Sequence, residues 1–252
     1  MKFLAFDTST DVMSIALTDG ARVWQHSGPG GAKSSTTLIP AILALLAESG
    51  LALDGLDAIA FGRGPGSFTG LRTACAVAQG LAFGARQGAG IPVLPVDTLM
   101  ALAEEARFQL ADKPGDAGLR IMALLDARMD EMYVQRFEWT AVACKALDEC
   151  YLVRPENLAP AGTDLLAGNV FGVYADRLPA GLAAFTRVEA LPTATAMLRL
   201  APALAAAGHC VDAALALPLY VRDKVAFTTD ERVRAKEDKA QAALAAELAN
   251  PK

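Results

Sequence analysis

The amino-acid sequence predicts an α/β fold with mixed sheets, and three observations support that prediction. Short apolar segments typical of strands alternate with longer segments of helical spacing, in the order βββαβαβα over the first half of the chain. A glycine-rich loop at 62–70 stands between an apolar strand and a helix. The second half then begins with the same strand–turn–strand arrangement as the first.

The composition excludes several classes of protein. Of 252 residues, 53% are hydrophobic and 20% are charged, which excludes a disordered chain and allows a large core. The net charge of −5 argues against a chain that binds nucleic acid by itself, because neutralising phosphates requires a basic surface. The presence of only 2 histidines argues against a histidine-rich catalytic metal centre.

Cysteine usage and apolar runs indicate a cytoplasmic protein. The 4 cysteines have no CxxC spacing, so the sequence predicts neither a disulfide framework nor a zinc ribbon. The apolar run before Asp7 is too short for the core of a signal peptide, and the longest apolar stretch, at 38–47, is too short to span a membrane. We therefore expect no membrane association.

Three antiparallel strands are expected at the beginning of the chain. Phe3 to Phe6 and Val12 to Leu17 are separated by a polar turn. A Thr-Asp-Gly turn at 18–20 leads into a third strand at 21–25, and Gly28 to Gly31 reads as a loop.

Helices and strands then alternate. Serine caps, glycine stops and helical spacing define the helices, and short apolar runs define the strands between them. The predicted elements are a helix at 34–49, a strand at 56–61, a helix at 67–84, a strand at 93–96 and a helix at 97–110.

The second half restarts after residues 112–118, whose composition is that of a linker. Asp126 ends an apolar strand as Asp7 does, 119 residues later, and a second strand follows at 131–137. Two interpretations remain open: two copies of one αβ unit, or two unrelated strand–turn–strand segments. An alanine-rich helix is expected at 193–207, with a kink or a split at its proline.

The loop at 62–70 is the most informative motif. It opens a helix, as phosphate-binding loops do, although it matches neither the Walker A nor the dinucleotide pattern. Gly64 and Gly66 permit close approach, and Ser67 is positioned to cap the helix. The loop is either an anion site or a tight turn that lets the helix pack closely.

Asp7, Thr8 and Ser9 lie in the first turn, and Asp126 heads the second. Acids that face each other across a cleft suit a magnesium nucleotide. The alternative is that these side chains satisfy the backbone groups of their own turns.

Six segments together form a recognisable pattern. They are Phe6-Asp-Thr-Ser-Thr10, Gly62-Arg-Gly-Pro-Gly-Ser-Phe-Thr-Gly-Leu-Arg72, Ala78-Gln-Gly-Leu-Ala82, Asp97-Thr-Leu-Met100, Leu125-Asp-Ala-Arg-Met129 with Met132-Tyr133, and Pro218-Leu-Tyr-Val-Arg222 with Val225-Ala226. The pattern extends from about residue 2 to 227 and resembles the bacterial TsaB (YeaZ) family of tRNA threonylcarbamoyladenosine biosynthesis proteins. This resemblance implies an actin-like fold of two related αβ lobes, at 1–112 and 113–229. The polar, alanine-rich tail at 230–252 lies outside it and is expected to be helical, either as a solvated terminal helix or as a docking segment.

The resemblance also implies a function. Family members pair with the catalytic subunit TsaD and with the ATPase TsaE, and the complex moves threonylcarbamoyl from its adenylate to the adenosine next to the anticodon. We expect a non-catalytic dimerisation subunit that has no catalytic or metal-binding residue and binds no cofactor alone, with ATP or ADP bound only within the complex. The helix at 34–49 has none of the histidines that hold the metal of TsaD. Contact with tRNA is expected mainly through the partners, and the isolated chain is a candidate homodimer.

In this family the interface is a bundle of the first two helices of each subunit. The interface residues expected here are Leu38, Ile42, Leu45, Ala74, Ala78, Leu81 and Arg72. Burial of these helices wholly within the monomer is the alternative. The alternative function is an actin-fold, ATP-dependent phosphotransferase acting on a small substrate; the peptidase label once given to the family finds no catalytic constellation in this sequence.

Overall fold

The computed structural model describes residues 1–110, 118–140 and 144–222, except the side chain of Ala32. The expected lobe boundary at 112/113 and the tail at 230–252 lie outside these residues. The first sheet has five strands in the order β3-β2-β1-β4-β5. Strands β1, β2 and β3 are antiparallel, and β4 and β5 run parallel to β1. The bounds are β1 (Phe3–Asp7), β2 (Val12–Thr18), β3 (Val23–Pro29), β4 (Ala58–Gly64) and β5 (Val93–Asp97).

The second sheet repeats this arrangement. Its order is β8-β7-β6-β10-β11, with β7 antiparallel to β6 and with β10 and β11 parallel to it, and β9 also pairs with β7. The bounds are β6 (Leu119–Asp126), β7 (Met132–Trp139), β8 (Cys144–Ala146), β9 (Tyr151–Val153), β10 (Leu165–Gly168) and β11 (Thr186–Glu189).

The turns after β1 and β6 are also alike. Ser9 N donates to Asp7 Oδ1 at 2.8 Å, and Arg128 N donates to Asp126 Oδ1 at 2.9 Å. Both are Asx turns, in which an aspartate side chain accepts a hydrogen bond from the backbone two residues later. The internal repeat is therefore real, and the predicted fold class is confirmed as a two-lobe, actin-like arrangement of mixed sheets.

The helices are α1 (Ser34–Ser49), α2 (Phe68–Gly84), α3 (Thr98–Gln109), α4 (Val170–Val173) and α5 (Ala194–Ala206). Helices α1 and α2 lie within a residue of their predicted bounds, and α5 continues through Pro202. The third strand differs from its prediction. It extends to Pro29, in a segment predicted as a loop, and proline is tolerated there because β3 is at the edge of the sheet.

The two halves exchange helices. Helix α5, from the second half, packs its alanines and Met197 against Phe3 and Ala5 of the first sheet. Helix α3, from the first half, packs Leu99 and Leu102 against the second sheet. Residues 1–221 consequently form one compact unit. In the described part of the chain, no helix has both the length and the apolar character needed to cross a membrane.

Candidate functional site

The turn after β1 and the glycine-rich loop after β4 lie directly against each other. Ser67 N donates to Ser9 O at 2.7 Å, and Thr8 Oγ1 donates to Gly70 O at 2.7 Å. A Cβ atom on Gly66 would lie 2.5 Å from Ser9 Cβ, so the backbones touch where only glycine fits. The structure thus brings together the turn and loop residues that the sequence singled out.

Gly64 meets a different part of the chain. Its φ is +122°, and a Cβ atom there would lie 2.5 Å from Leu219 O, in the segment that follows the last described helix. Leu219 N donates to Arg63 O at 2.7 Å, so this segment is held against the loop by a backbone hydrogen bond as well as by packing.

These contacts favour the tight-turn interpretation of the loop over the anion site. Ser67 caps α2, accepting at Oγ from Gly70 N at 3.5 Å, while its own N–H is used by Ser9. An anion site of this type needs backbone N–H groups that point to solvent. Here the N–H groups of Ser67 and Gly70 are both bonded within the protein.

Asp7 is fully buried beneath the turn. Its Oδ1 accepts from Ser9 N at 2.8 Å and from Ser9 Oγ at 2.6 Å, and its Oδ2 accepts from Thr98 Oγ1 at 3.4 Å. Burial raises the pKa of Asp7 from 3.8 to about 6, although the hydrogen bonds from Ser9 and Thr98 oppose that rise. A carboxylate with no exposed surface holds the turn in place and is closed to an incoming cation.

The raised pKa of Asp7 predicts a pH-dependent stability. Between about pH 4 and pH 6 the folded chain binds more protons at Asp7 than the unfolded chain, so the free energy of unfolding falls as pH rises through this range. Asp7→Asn keeps an acceptor for Ser9 and does not titrate. Relative to this variant, the wild-type chain is expected to lose about 2 kcal/mol of stability between pH 4 and pH 7. Urea unfolding at several pH values measures this difference.

Asp19 provides a control of opposite sign. Arg22 N and Ala21 N donate to its carboxylate and hold its pKa below 3.8, so Asp19→Asn should become less stable relative to wild type as pH rises towards 3.8. A stability difference between wild type and Asp7→Asn that stays constant with pH would contradict the burial effect at Asp7.

In the second turn, an arginine occupies the space between two acids. Asp126 Oδ1 accepts from Tyr174 Oη at 2.7 Å, and Asp126 Oδ2 lies 3.3 Å from Arg128 Nη1. Arg128 Nη2 also pairs with Asp11, in the turn after β1. The guanidinium of Arg128 therefore balances the charge of Asp11 and Asp126. In a magnesium nucleotide site, a divalent cation would balance such acids instead.

The cleft beside these turns is acidic. It encloses about 510 Å³, and its walls include the carboxylates of Asp11, Glu105 and Glu189. Glu105 is half-buried, which raises its pKa, but hydrogen bonds from Thr193 and Arg199 outweigh that effect and hold the pKa below its ordinary value. The negative wall repels phosphates. Among the described residues, no three His, Cys, Asp or Glu side chains are grouped to hold a metal ion. The bonded turns favour the structural role of these acids over a magnesium nucleotide site.

Most of the predicted interface residues lie on the inner faces of α1 and α2. The core side chains are those of Leu38, Ile42, Leu45, Ala74 and Ala78, none of them more than 4% exposed. Leu81 packs partly against the same core, and Arg72 is exposed. The apolar stripe of each helix packs on its own sheet, so these five side chains have no exposed surface in the single chain, and their place in an interface stays a prediction.

The outer surface of the same helices is also apolar. Ile39 and Leu43 of α1 and Phe68 and Phe83 of α2 are exposed, as are three side chains of the segment that follows α5 and binds beside α2. We call this set the docking face; it consists of Ile39, Leu43, Phe68, Phe83, Leu215, Leu217 and Tyr220. It holds seven of the fifteen large apolar side chains exposed in the described part of the chain. Ile39 and Leu43 lie four residues apart on α1, which places them on one side of the helix.

Comparisons with known proteins show which proteins this chain is similar to. A family model described as "TsaD: tRNA N6-adenosine threonylcarbamoyltransferase" matches residues 29–250. The chain is 32% identical to the tRNA threonylcarbamoyladenosine biosynthesis protein TsaB of Haemophilus influenzae, over 90% of this chain and 96% of that one. It is 31% identical to TsaB of Escherichia coli, over 90% and 97%. The solved structure of YeaZ from Pseudomonas aeruginosa superposes with a TM-score of 0.75 at 37% identity, over 87% of this chain and 99% of that one.

Proposed function

Because this chain belongs to the TsaB (YeaZ) family, we propose that it acts in tRNA threonylcarbamoyladenosine biosynthesis as a non-catalytic subunit that pairs with the threonylcarbamoyltransferase TsaD. The observation that carries this proposal is the docking face. Exposed apolar side chains concentrated on adjacent elements are typical of a protein–protein interface. Leu43 is 55% exposed and Phe83 is 54% exposed, so both side chains would gain much from burial against a partner.

The family relationship indicates the geometry of pairing. A TsaD family model matches this chain from residue 29 onward, so TsaD has helices related to α1 and α2. Two proteins with related surfaces can pair about an approximate twofold axis, because each contact between the two surfaces is then made twice. We infer that α1 and α2 pack against their counterparts in TsaD, using the outer surface rather than the core stripe. When TsaD is absent, the same face is the one through which two copies of this chain would pair.

The chemistry of the described residues supports a non-catalytic role. Burial raises the pKa of the thiols of all four cysteines, that of Cys150 to about 12, so none is an activated nucleophile at neutral pH. His26 lies exposed on the edge strand β3, and His209 lies exposed in the loop after α5. These residues offer neither a triad nor a set of metal ligands.

In this proposal, binding to α1 and α2 stabilises the active conformation of TsaD, which performs the transfer. The chain itself binds no nucleotide, and ATP or ADP in the complex belongs to TsaD or to the ATPase TsaE. Its net charge of −5 leaves tRNA contact mainly to the partners.

A reconstitution experiment tests this function. The purified chain, its cognate TsaD, and both together with TsaE are supplied with tRNA and threonylcarbamoyl adenylate, and the modified adenosine is measured by mass spectrometry. We expect robust, repeated turnover only when both proteins are present. Modification by the chain alone would contradict the non-catalytic role. Phosphoryl transfer from ATP by the chain alone would instead support the actin-fold phosphotransferase.

A further inference from the structure

Arg72 is held in a fixed position on the docking face. Its guanidinium carbon lies 3.9 Å from the centre of the Phe68 ring, and its Nε donates to Tyr220 Oη at 3.1 Å. The rings of Phe68 and Tyr220 are 5.4 Å apart, so the three side chains form one cluster. A stacked and hydrogen-bonded guanidinium has lost much of its rotational freedom before any partner arrives.

The segment that carries Tyr220 is itself anchored along α2. Ala216 O accepts from Cys75 Sγ and from Gln79 Nε2, both at 3.0 Å, and Leu219 N donates to Arg63 O at 2.7 Å. These bonds fix the segment on both sides of the docking face residue Leu217. Tyr220 is thus a rigid support for Arg72, although 148 residues separate them in sequence.

The charge of Arg72 has no acidic partner among the described residues. It is the only charged residue between Arg63 and Arg86, so α2 carries a single positive charge on an otherwise neutral helix. Within the described residues its contacts are with the two aromatic side chains, and no carboxylate pairs with it. Its two terminal nitrogens therefore have donors to offer to an external acceptor.

We propose that Arg72, clamped between Phe68 and Tyr220, binds a carboxylate of the partner subunit. This inference rests on the proposed function, because it assigns a contact within the interface with TsaD. A partner that buries Arg72 without pairing its charge would bind weakly. The partner surface that fits is therefore an acidic side chain surrounded by apolar ones. A guanidinium binds a carboxylate through two parallel hydrogen bonds, and ordered arginines beside aromatic rings are typical interface hot spots.

Titration calorimetry of the full chain with TsaD tests the assignment. Arg72→Met keeps the length of the side chain and removes its charge, and we expect it to weaken the Kd at least roughly 30-fold. Tyr220→Phe keeps the ring and removes the hydroxyl support; a loss of roughly 3- to 10-fold is expected. Arg22→Met removes an exposed arginine in the turn between β2 and β3 and should leave the Kd unchanged. Thermal unfolding of each variant confirms that it is folded.

Charge reversal identifies the acceptor. Arg72→Glu should abolish binding, and a lysine in place of the correct acid of TsaD should restore it. The inference is overturned if Arg72→Met binds as tightly as wild type while Leu43→Glu does not bind, and the proposed function then stands. If neither substitution alters binding, or if no complex forms, the proposed function fails as well.

Two other acceptors for Arg72 would give different results. If Arg72→Met leaves the Kd for TsaD unchanged but lowers the affinity of the complex for tRNA, the acceptor is an RNA phosphate. If it changes only the self-association of the chain alone, the acceptor lies on a second copy. Either result overturns the assignment to a carboxylate of the partner.

Discussion

Leu43→Glu is expected to abolish the complex with TsaD while leaving the chain folded. Leu43 is 55% exposed in the middle of α1, so a glutamate there remains hydrated in the free chain. In the complex its charge would be buried against apolar side chains without a partner, which costs several kcal/mol, and a loss of about 3 kcal/mol already weakens Kd more than roughly 100-fold. Size-exclusion chromatography with light scattering, followed by calorimetry, measures the effect.

Two substitutions provide matched controls. Val173→Glu replaces a side chain of similar exposure, 58%, on α4 beside the second sheet, and should bind TsaD as the wild type does. Ala78→Glu, on the fully buried side of α2, should fail by unfolding, because it forces a charge and extra volume into the core. If Leu43→Glu still forms the complex, the outer surface of α1 is not the interface.

Gly70→Ala is expected to destabilise the chain by about 3 kcal/mol or more. A Cβ atom at this position would lie 1.9 Å from Thr8 O, so the first turn of α2 would have to move away from the turn after β1. That movement would also break the hydrogen bond from Thr8 Oγ1 to Gly70 O. Denaturant unfolding monitored by circular dichroism measures the loss.

Gly80→Ala is the matched control for Gly70→Ala. It lies on the same helix, and a Cβ atom there would meet nothing within 4 Å. Alanine favours the helix over glycine, so this variant should gain about 0.5–1 kcal/mol. Equal stability changes for the two variants would show that the loop and the turn are not in close contact.

The sequence located the glycine-rich loop, its helix cap and its need for close approach. Ser67 caps α2 as predicted, and the glycines do lie where the backbone is crowded. The sequence did not decide whether the loop approaches a bound anion or another part of the protein. The glycines in the sequence indicate that close approach is permitted. They carry no information on which atoms approach, because Ser9 and Leu219 come from distant parts of the chain.

The prediction of the interface from the sequence had a similar limit. The family resemblance placed an interface on α1 and α2, yet the residues expected there, such as Ile42 and Ala78, lie in the core of the single chain. The signal for the outer surface was present in Ile39, Leu43 and Phe83. Only the packed structure separates the two faces, because the sheet covers one of them and nothing in the described chain covers the other.

The sequence by itself determined the order and bounds of most elements, the strand–turn–strand segments at Asp7 and Asp126, and the family. These features depend on local propensity, spacing and motifs, which involve residues close together in sequence. The tertiary structure decided that α3 and α5 are exchanged between the sheets, that Arg128 lies between the acids of the cleft, and that Tyr220 supports Arg72. Each of these contacts joins residues far apart in sequence, where no local pattern fixes the distance between side chains.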